Sequence, residues 1–232
     1  MMIKRNKETR GLTNISWLKS KHSFSFGDYY DPEQMGFGPL RVINEDRVIP
    51  GAGFGFHPHN NMEIISYVVS GQLAHKDSMK NGSVIKPGDV QIMSAGTGVM
   101  HSEYNASNTE EVHFLQIWIM PNVRNERPNY QQKLFSPEEM HHCFRVVVSP
   151  NGEEQSLVIK QDARMLAGRF DKGEHTVVQT KSNRRYWLQM VHGSVIVNEE
   201  RLSSGDGLAL EREEILNIAS VVDSEIILFD LP

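Results

Sequence analysis

The sequence predicts an all-β protein whose second half repeats the plan of the first, and three observations carry that expectation. Short runs rich in Val, Ile, Phe, Tyr and Trp recur along the chain, bounded by Gly, Pro, Asn, Asp or Ser. The second half repeats, in degraded form, the strand-turn-strand punctuation of the first. A length of 232 residues is ample for a large core and allows one or two domains.

Taken in order, Gly51-Ala52-Gly53-Phe54-Gly55-Phe56 leads into His57-Pro58-His59, where glycines let backbone pass close to a bound ion or ligand. Residues 62–69 are β-branched and aromatic and form a strand, Ser70-Gly71 turns it, and Gln72-Leu73-Ala74-His75 begins the return. Lys86-Pro87-Gly88-Asp89 makes a tight turn before a short strand over 90–93. Gly96-Thr97-Gly98 precedes His101, and 112–119 is a long strand. His22 is expected in a strand with Phe24 and Phe26 alternating, in a packing or hydrogen-bonding role.

The polar, proline-bearing stretch 121–130 divides the chain into residues 1–133 and 134–232. Ser136-Pro137-Glu138-Glu139 then opens a helical turn, with Ser136 as N-cap and Pro137 at the first helical position. Strands resume over 144–148 and 156–159. Residues 185–191, His192-Gly193 and 194–198 echo the strand-Gly-strand of 63–75, and Ser204-Gly205-Asp206 echoes Pro87-Gly88-Asp89. His175 and His192 stand alone, so the second half is expected to hold no metal site.

The chemistry concentrates in His57-Pro58-His59 and His101-Ser102-Glu103, separated by 41 residues. Each places two coordinating side chains at i and i+2, on one face of a strand. Facing one another across a barrel, the two segments bring three imidazoles and a carboxylate to a point. Three nitrogens and one oxygen suit a borderline divalent transition metal with open positions, whereas Mg²⁺ and Ca²⁺ want mostly oxygen. His75 and His113 are expected as pocket-lining or structural residues, and the eleven methionines as core filler.

This order of parts resembles the cupin signature. The first cupin motif, G-x5-H-x-H-x3,4-E-x6-G, is answered by Gly51, His57, His59, Glu63 and Gly71. The second, G-x5-P-x-G-x2-H-x3-N, is answered by Gly88, Gly98, His101 and Asn105, two residues longer and with Ser94-Ala95-Gly96 in place of the proline. Seven residues, not six, separate Glu63 from Gly71. A one-residue slip turns a side chain to the opposite face. Glu63 is therefore expected to point away from the metal, as a structural carboxylate or one that orients a ligand histidine through its free ring N–H, leaving Glu103 to supply the oxygen ligand.

Within the cupins the chain resembles the pirin family, in particular bacterial pirin-like quercetin 2,3-dioxygenases. The matching stretches are 22–26, 29–32, 38–44, Phe56-His57-Pro58-His59 with Met62-Glu63, 91–98, His101-Ser102-Glu103-Tyr104-Asn105 and 115–119. The resemblance covers most of the first 130 residues and is thinner afterwards. It implies a bicupin, two double-stranded β-helix barrels packed face to face, with one metal, Fe(II) by preference, in the N-terminal barrel. It carries over His57, His59, His101 and Glu103 as ligands. The donor set also accepts Mn, Co, Ni, Cu or Zn.

The implied reaction is cleavage of a flavonol such as quercetin by O2 with release of CO. Glu103 is expected to be catalytic, taking the proton of the 3-hydroxyl. Phe56, Met93, Phe114 and Trp118 are candidates for the apolar wall of the substrate pocket. The competing reading, from eukaryotic pirins, is a non-enzymatic iron-binding regulator acting through protein partners, although no partner-binding stretch is identifiable.

Composition excludes several alternatives. A net charge of −5 and a pI of about 6.1 give no nucleic-acid footprint. The basic start leads into no apolar run of signal-peptide type, and no segment approaches transmembrane length. The lone Cys143 cannot form an intrachain disulfide, which fits a cytoplasmic setting, and it is expected to be half-buried.

Overall fold

The computed structural model describes residues 1–232, and almost all of their regular structure is strand. Two compact units result: residues 11–134 with 159–161, and residues 1–10 with 135–158 and 162–232. The division expected after residue 133 therefore changes in two places. Met2–Arg5 pairs antiparallel with Gly207–Glu211, Met2 opposite Leu210, which moves the first ten residues to the second unit. Residues 159–161 join the first unit, where the Lys160 backbone N–H donates to Glu63 Oε2 at 3.1 Å. Both are pairings across most or much of the chain, with no local sequence signal.

The first unit has a seven-stranded sheet in the order Asn129–Leu134, Asp89–Ser94, Glu63–Ser70, Val112–Ile119, Leu40–Val48, Leu18–His22, Gly11–Asn14. Its four-stranded sheet runs Gly53–His59, Val99–Asn105, Leu73–Asp77, Gly82–Ile85. The second unit repeats the plan. Its larger sheet runs Met2–Arg5, Gly207–Glu211, Arg185–His192, Ser224–Leu231, Arg164–Phe170, Phe144–Ser149, Leu157–Val158. The smaller runs His175–Gln179, Ile215–Ser220, Ser194–Val197, Glu200–Ser203.

The repeated turn has the same cause in both units. Gly71 and Gly193 sit at φ +77° and +83°, and a Cβ at either would collide with the backbone of Glu111 or of Asp223. Only glycine meets both conditions. The helical turn Pro137–Met140 carries the capping box expected of Ser136 and Glu139. No helix is long and apolar enough to cross a membrane.

Two local expectations change. The strand carrying His22 stops there, because Phe26 and Tyr29 bridge each other around Gly27 at φ +57°, closing a turn where Phe24 and Phe26 had suggested continued alternation. Cys143 is exposed, not half-buried, with its thiol 3.4 Å from the Glu139 carbonyl.

The interiors of the two units differ. In the second, Leu188, Met190, Val195, Leu208, Leu216, Ile218 and Leu228 belong to one continuous apolar cluster drawing on both sheets. In the first, the smaller clusters near the histidines gather around Val68, Leu73, Ile85 and Phe114 and around Ile64, Met93, Ala95 and Val99, while Ile65, Tyr67, Ile92 and Ile117 are wholly buried apart from either. Leu18 of the one, with Phe54 packed against it, and Trp118 packed against the other, line a cavity.

Candidate metal centre

The centre lies on the four-stranded sheet of the first unit. Gly53–His59 and Val99–Asn105 pair antiparallel with His101 opposite His57 and Val99 opposite His59. The register then shifts, so that Glu103 lies opposite Phe54, whereas on its other side the same strand pairs regularly, His101 with Asp77 and Glu103 with His75. The extra residue is therefore in Gly53–His59, at Gly55-Phe56. This bulge puts Phe54 on the face of His57, while Phe56 keeps the outer face that alternation gives it.

The three imidazoles converge. Ring centroids are 4.8 Å apart for His57–His59, 4.5 Å for His57–His101 and 4.8 Å for His59–His101. The candidate ligand nitrogens all lie within 4.8 Å of one another. His57 Nδ1 donates to the Gly55 carbonyl at 2.7 Å, which leaves Nε2 with a free lone pair, 3.0 Å from His101 Nε2. His59 Nε2 is buried with no partner. Burial, reinforced by the neighbouring histidines, pushes His59 down to about 4 and His101 down to about 3, so both rings stay neutral at pH 7. An orphaned lone pair among neutral, inward-facing imidazoles is the donor set of a borderline divalent metal, which takes nitrogen at roughly 2.0–2.1 Å.

Glu103 is 3 % exposed, and its carboxylate is anchored on both oxygens. Ser66 Oγ donates to Oε1 at 3.0 Å and Gln116 Nε2 to Oε2 at 2.7 Å. Oε2 is 3.9 Å from His101 Nε2. Its ligand atom groups with those of His101 and His75, in a set that shares His101 with the histidine triad. Glu63 behaves differently: it is buried, accepts from Ser94 Oγ at 2.8 Å and from the Lys160 N–H, and does not line the cavity. Burial raises its pKa, against those two hydrogen bonds.

The cavity above the histidines measures about 260 Å³. Leu18, Phe26, Phe54 and Trp118 form its apolar side, with Trp118 edge-on to both Phe26 and His59. Of the four aromatic and apolar candidates named from sequence, only Trp118 lines it. Phe56, next to His57 and so on the opposite face of the strand, is 56 % exposed, while Met93 and Phe114 are wholly buried in the two apolar clusters. Phe26 and Phe54 take their places. A strict alternation count could not find Phe54, and Phe26 reaches the cavity through the turn at Gly27.

The polar side was also missed. Thr13 Oγ1 contacts His22 Nε2 at 2.8 Å, and His22 Nδ1 contacts Asn44 Oδ1 at 2.7 Å. His22 thus makes the hydrogen bonds expected of it while lining the cavity. Asp46 lies on the same wall, and burial pushes its carboxyl up to about 7, helped by the charges of Glu103 and Glu45 and opposed by a hydrogen bond from Ser20. His113 pairs with Glu45 at 3.0 Å away from the cavity, and His75 pairs with Asp77 at 3.2 Å and stacks on Tyr130. In the second unit His141, His142 and Asp171 also cluster, but all three are exposed. There His141 is matched to Asp171 and His142 to Glu174, the pattern of surface ion pairs.

Comparison with known proteins agrees with this geometry. A Pirin family model matches residues 4–119, and a model of the quercetinase C-terminal cupin domain matches residues 146–231. A protein of Escherichia coli K12 named quercetin 2,3-dioxygenase is 45 % identical over 232 residues, covering 100 % of this chain and 99 % of its own. The crystal structure of the bacterial pirin YhhW from Escherichia coli in complex with nickel(II) superposes with a TM-score of 0.96 at 45 % identity, covering 100 % of this chain and 99 % of that one. A quercetin 2,3-dioxygenase from Acinetobacter baumannii is 20 % identical with a TM-score of 0.79 over 99 % of this chain and 85 % of that one, a likeness of fold alone.

Proposed function

Because this chain belongs to the pirin family, we propose that it is a metal-dependent dioxygenase that cleaves a flavonol such as quercetin with O2. The observation that carries the reading is the convergence of His57, His59 and His101 at the floor of a cavity with an anchored carboxylate beside them. We assign His57, His59, His101 and Glu103 as ligands of one divalent metal, with Fe(II) preferred. When bound, the metal supplies Lewis acidity toward the flavonol oxygens and a means of engaging O2.

The residues supply the rest. Glu103 accepts the proton of the 3-hydroxyl, and the hydrogen bonds from Ser66 and Gln116 fix the direction of its lone pairs before substrate arrives. The neutral rings of His59 and His101 hold their lone pairs without competing for that proton. Phe26, Phe54 and Trp118 offer flat apolar surface to the fused rings and keep water from the reacting carbon. In the overall reaction two ring C–C bonds break, the carbon between them leaves as CO, and both atoms of O2 remain in the ester product.

The test is quercetin absorbance under air with protein loaded with Fe(II) or Ni(II), with O2 uptake and trapped CO measured in parallel. One O2 consumed and one CO released per quercetin is the expected result. Glu103→Gln is expected to lose turnover while keeping metal on the histidines, whereas Glu63→Gln keeps both. Inactivity with Fe, Mn, Co, Ni and Cu across several flavonols would overturn the reading.

A further inference from the structure

Two buried oxygens on the cavity wall have no hydrogen-bond partner. Asp46, on Leu40–Val48, is 3 % exposed and lines the cavity; Ser20 hydrogen-bonds its carboxyl, yet Oδ1 is left without a partner. Gln116, on Val112–Ile119, is 7 % exposed and donates through Nε2 to Glu103. A carboxylate only accepts, so that contact fixes which end of the amide faces Glu103. Oε1 is the other end, and it too is buried without a partner. Both side chains line one cavity, where the indole Nε1 of Trp118 is likewise unmatched.

Buried polar atoms are rarely left unpaired, and those that are call for an explanation. Neither oxygen has a hydrogen-bond partner, and the two side chains that carry them line the space a substrate enters, so that a small side-chain rotation brings either oxygen to a bound group. A hydroxyl group suits them: it donates to the amide oxygen, and at Asp46 it suits either protonation state, donating to a carboxylate or accepting from a carboxylic acid. A hydrocarbon ring edge would seal both oxygens off dry.

We propose that Asp46 Oδ1 and Gln116 Oε1 form a hydroxyl-binding subsite, which selects flavonols bearing hydroxyl groups in addition to the one that reaches the histidines. Asp46 is its specificity-determining member. The choice of scaffold rests on the dioxygenase reading; the subsite itself rests on the unmatched oxygens.

The test is binding without turnover. Ni(II)-loaded protein under argon is titrated with quercetin and with 3-hydroxyflavone, which keeps the chelating 3-hydroxy-4-keto group and lacks the other hydroxyls, and protein fluorescence is followed. Wild type is expected to prefer quercetin by about tenfold or more. Asp46→Ala is expected to cut the preference to within about threefold while metal content and 3-hydroxyflavone affinity hold, and Asp46→Asn, which keeps an acceptor oxygen, to retain most of it. An unchanged preference in Asp46→Ala, or none in wild type, overturns the proposal. A second measurement needs no variant: in wild type, hydroxyls are removed from the flavonol one at a time. One position is expected to carry most of the preference, and an even decrement across all positions overturns the subsite. Absence of turnover in air with the preference intact removes only the dioxygenase reading, while turnover without the preference removes only the subsite.

Discussion

The two units share strand order and turn glycines but fill their interiors in opposite ways. On the second strand of the smaller sheet, the first unit turns His101 and Glu103 inward and the second turns Leu216 and Ile218 inward. The second unit thereby gains a continuous apolar cluster that draws on both sheets, whereas in the first the apolar residues near the histidines fall into separate clusters beside a cavity. The pairing beside that strand differs too. Val99–Asn105 meets a bulged neighbour, whereas Ile215–Ser220 pairs with His175–Gln179 in unbroken register. A regular strand pair beside a filled interior maximises buried apolar area. A bulged pair beside a cavity gives up packing to aim side chains at a point, so packing and side-chain aim are divided between two copies of one plan.

The largest expected effect falls on metal content. His101→Ala removes one of three convergent nitrogens and is expected to reduce bound metal from one per chain to near none, and with it turnover by at least about 10²-fold. His175→Ala is the mirror substitution in the other unit. His175 is exposed on the regular strand, with no candidate ligand grouped with it, so metal content is expected to be unchanged. Elemental analysis after dialysis reads both. Stoichiometric metal in His101→Ala would break the division of labour at its root.

A smaller but clear effect is expected from the filled barrel. Leu216 is wholly buried in the continuous cluster, so Leu216→Ala leaves a cavity and is expected to cost about 2–5 kcal/mol of stability. Metal stoichiometry of the folded protein is expected to stay the same. Thermal unfolding followed together with metal content makes the check. A loss of metal before unfolding would show that the second barrel does more than supply stability.

How much of this was legible in the sequence follows from the range of each interaction. Residues 63–70, 112–119 and 185–192 were readable as strands because β-branched and aromatic residues dominate them, and Gly71 and Gly193 marked the turns. The imidazole cluster was readable because i, i+2 spacing survives on any strand. The transfer of residues 1–10 to the second unit was not, since the partner of Met2 lies at Leu210. Nor was the cavity wall. Phe56 and Phe54 are both aromatic and two residues apart, and strict alternation puts both on the face opposite His57. A bulge depends on the partner strand, and nothing in Gly53–His59 alone reports the register of Val99–Asn105.

That bulge yields the finest test of the comparison. Without it Phe54 would sit with Phe56 on the outer face; with it Phe54 packs edge-on against Trp17 at 5.0 Å and borders the cavity. Phe54→Ala is expected to cost about 1–2 kcal/mol, less than the 3–5 typical of a fully buried phenylalanine because Phe54 is only partly covered. It should also weaken flavonol binding several-fold, since it strips one apolar wall from a small cavity. Phe56→Ala is expected to change stability by less than about 0.5 kcal/mol and binding hardly at all, as an exposed side chain with nothing to lose. Chemical denaturation and anaerobic flavonol titration of the two variants, side by side, measure both. A larger effect at Phe56 than at Phe54 would mean that this strand keeps the regular register of its counterpart His175–Gln179, and the contrast between a bulged strand pair in one unit and a regular pair at the same place in the other would then have to be given up.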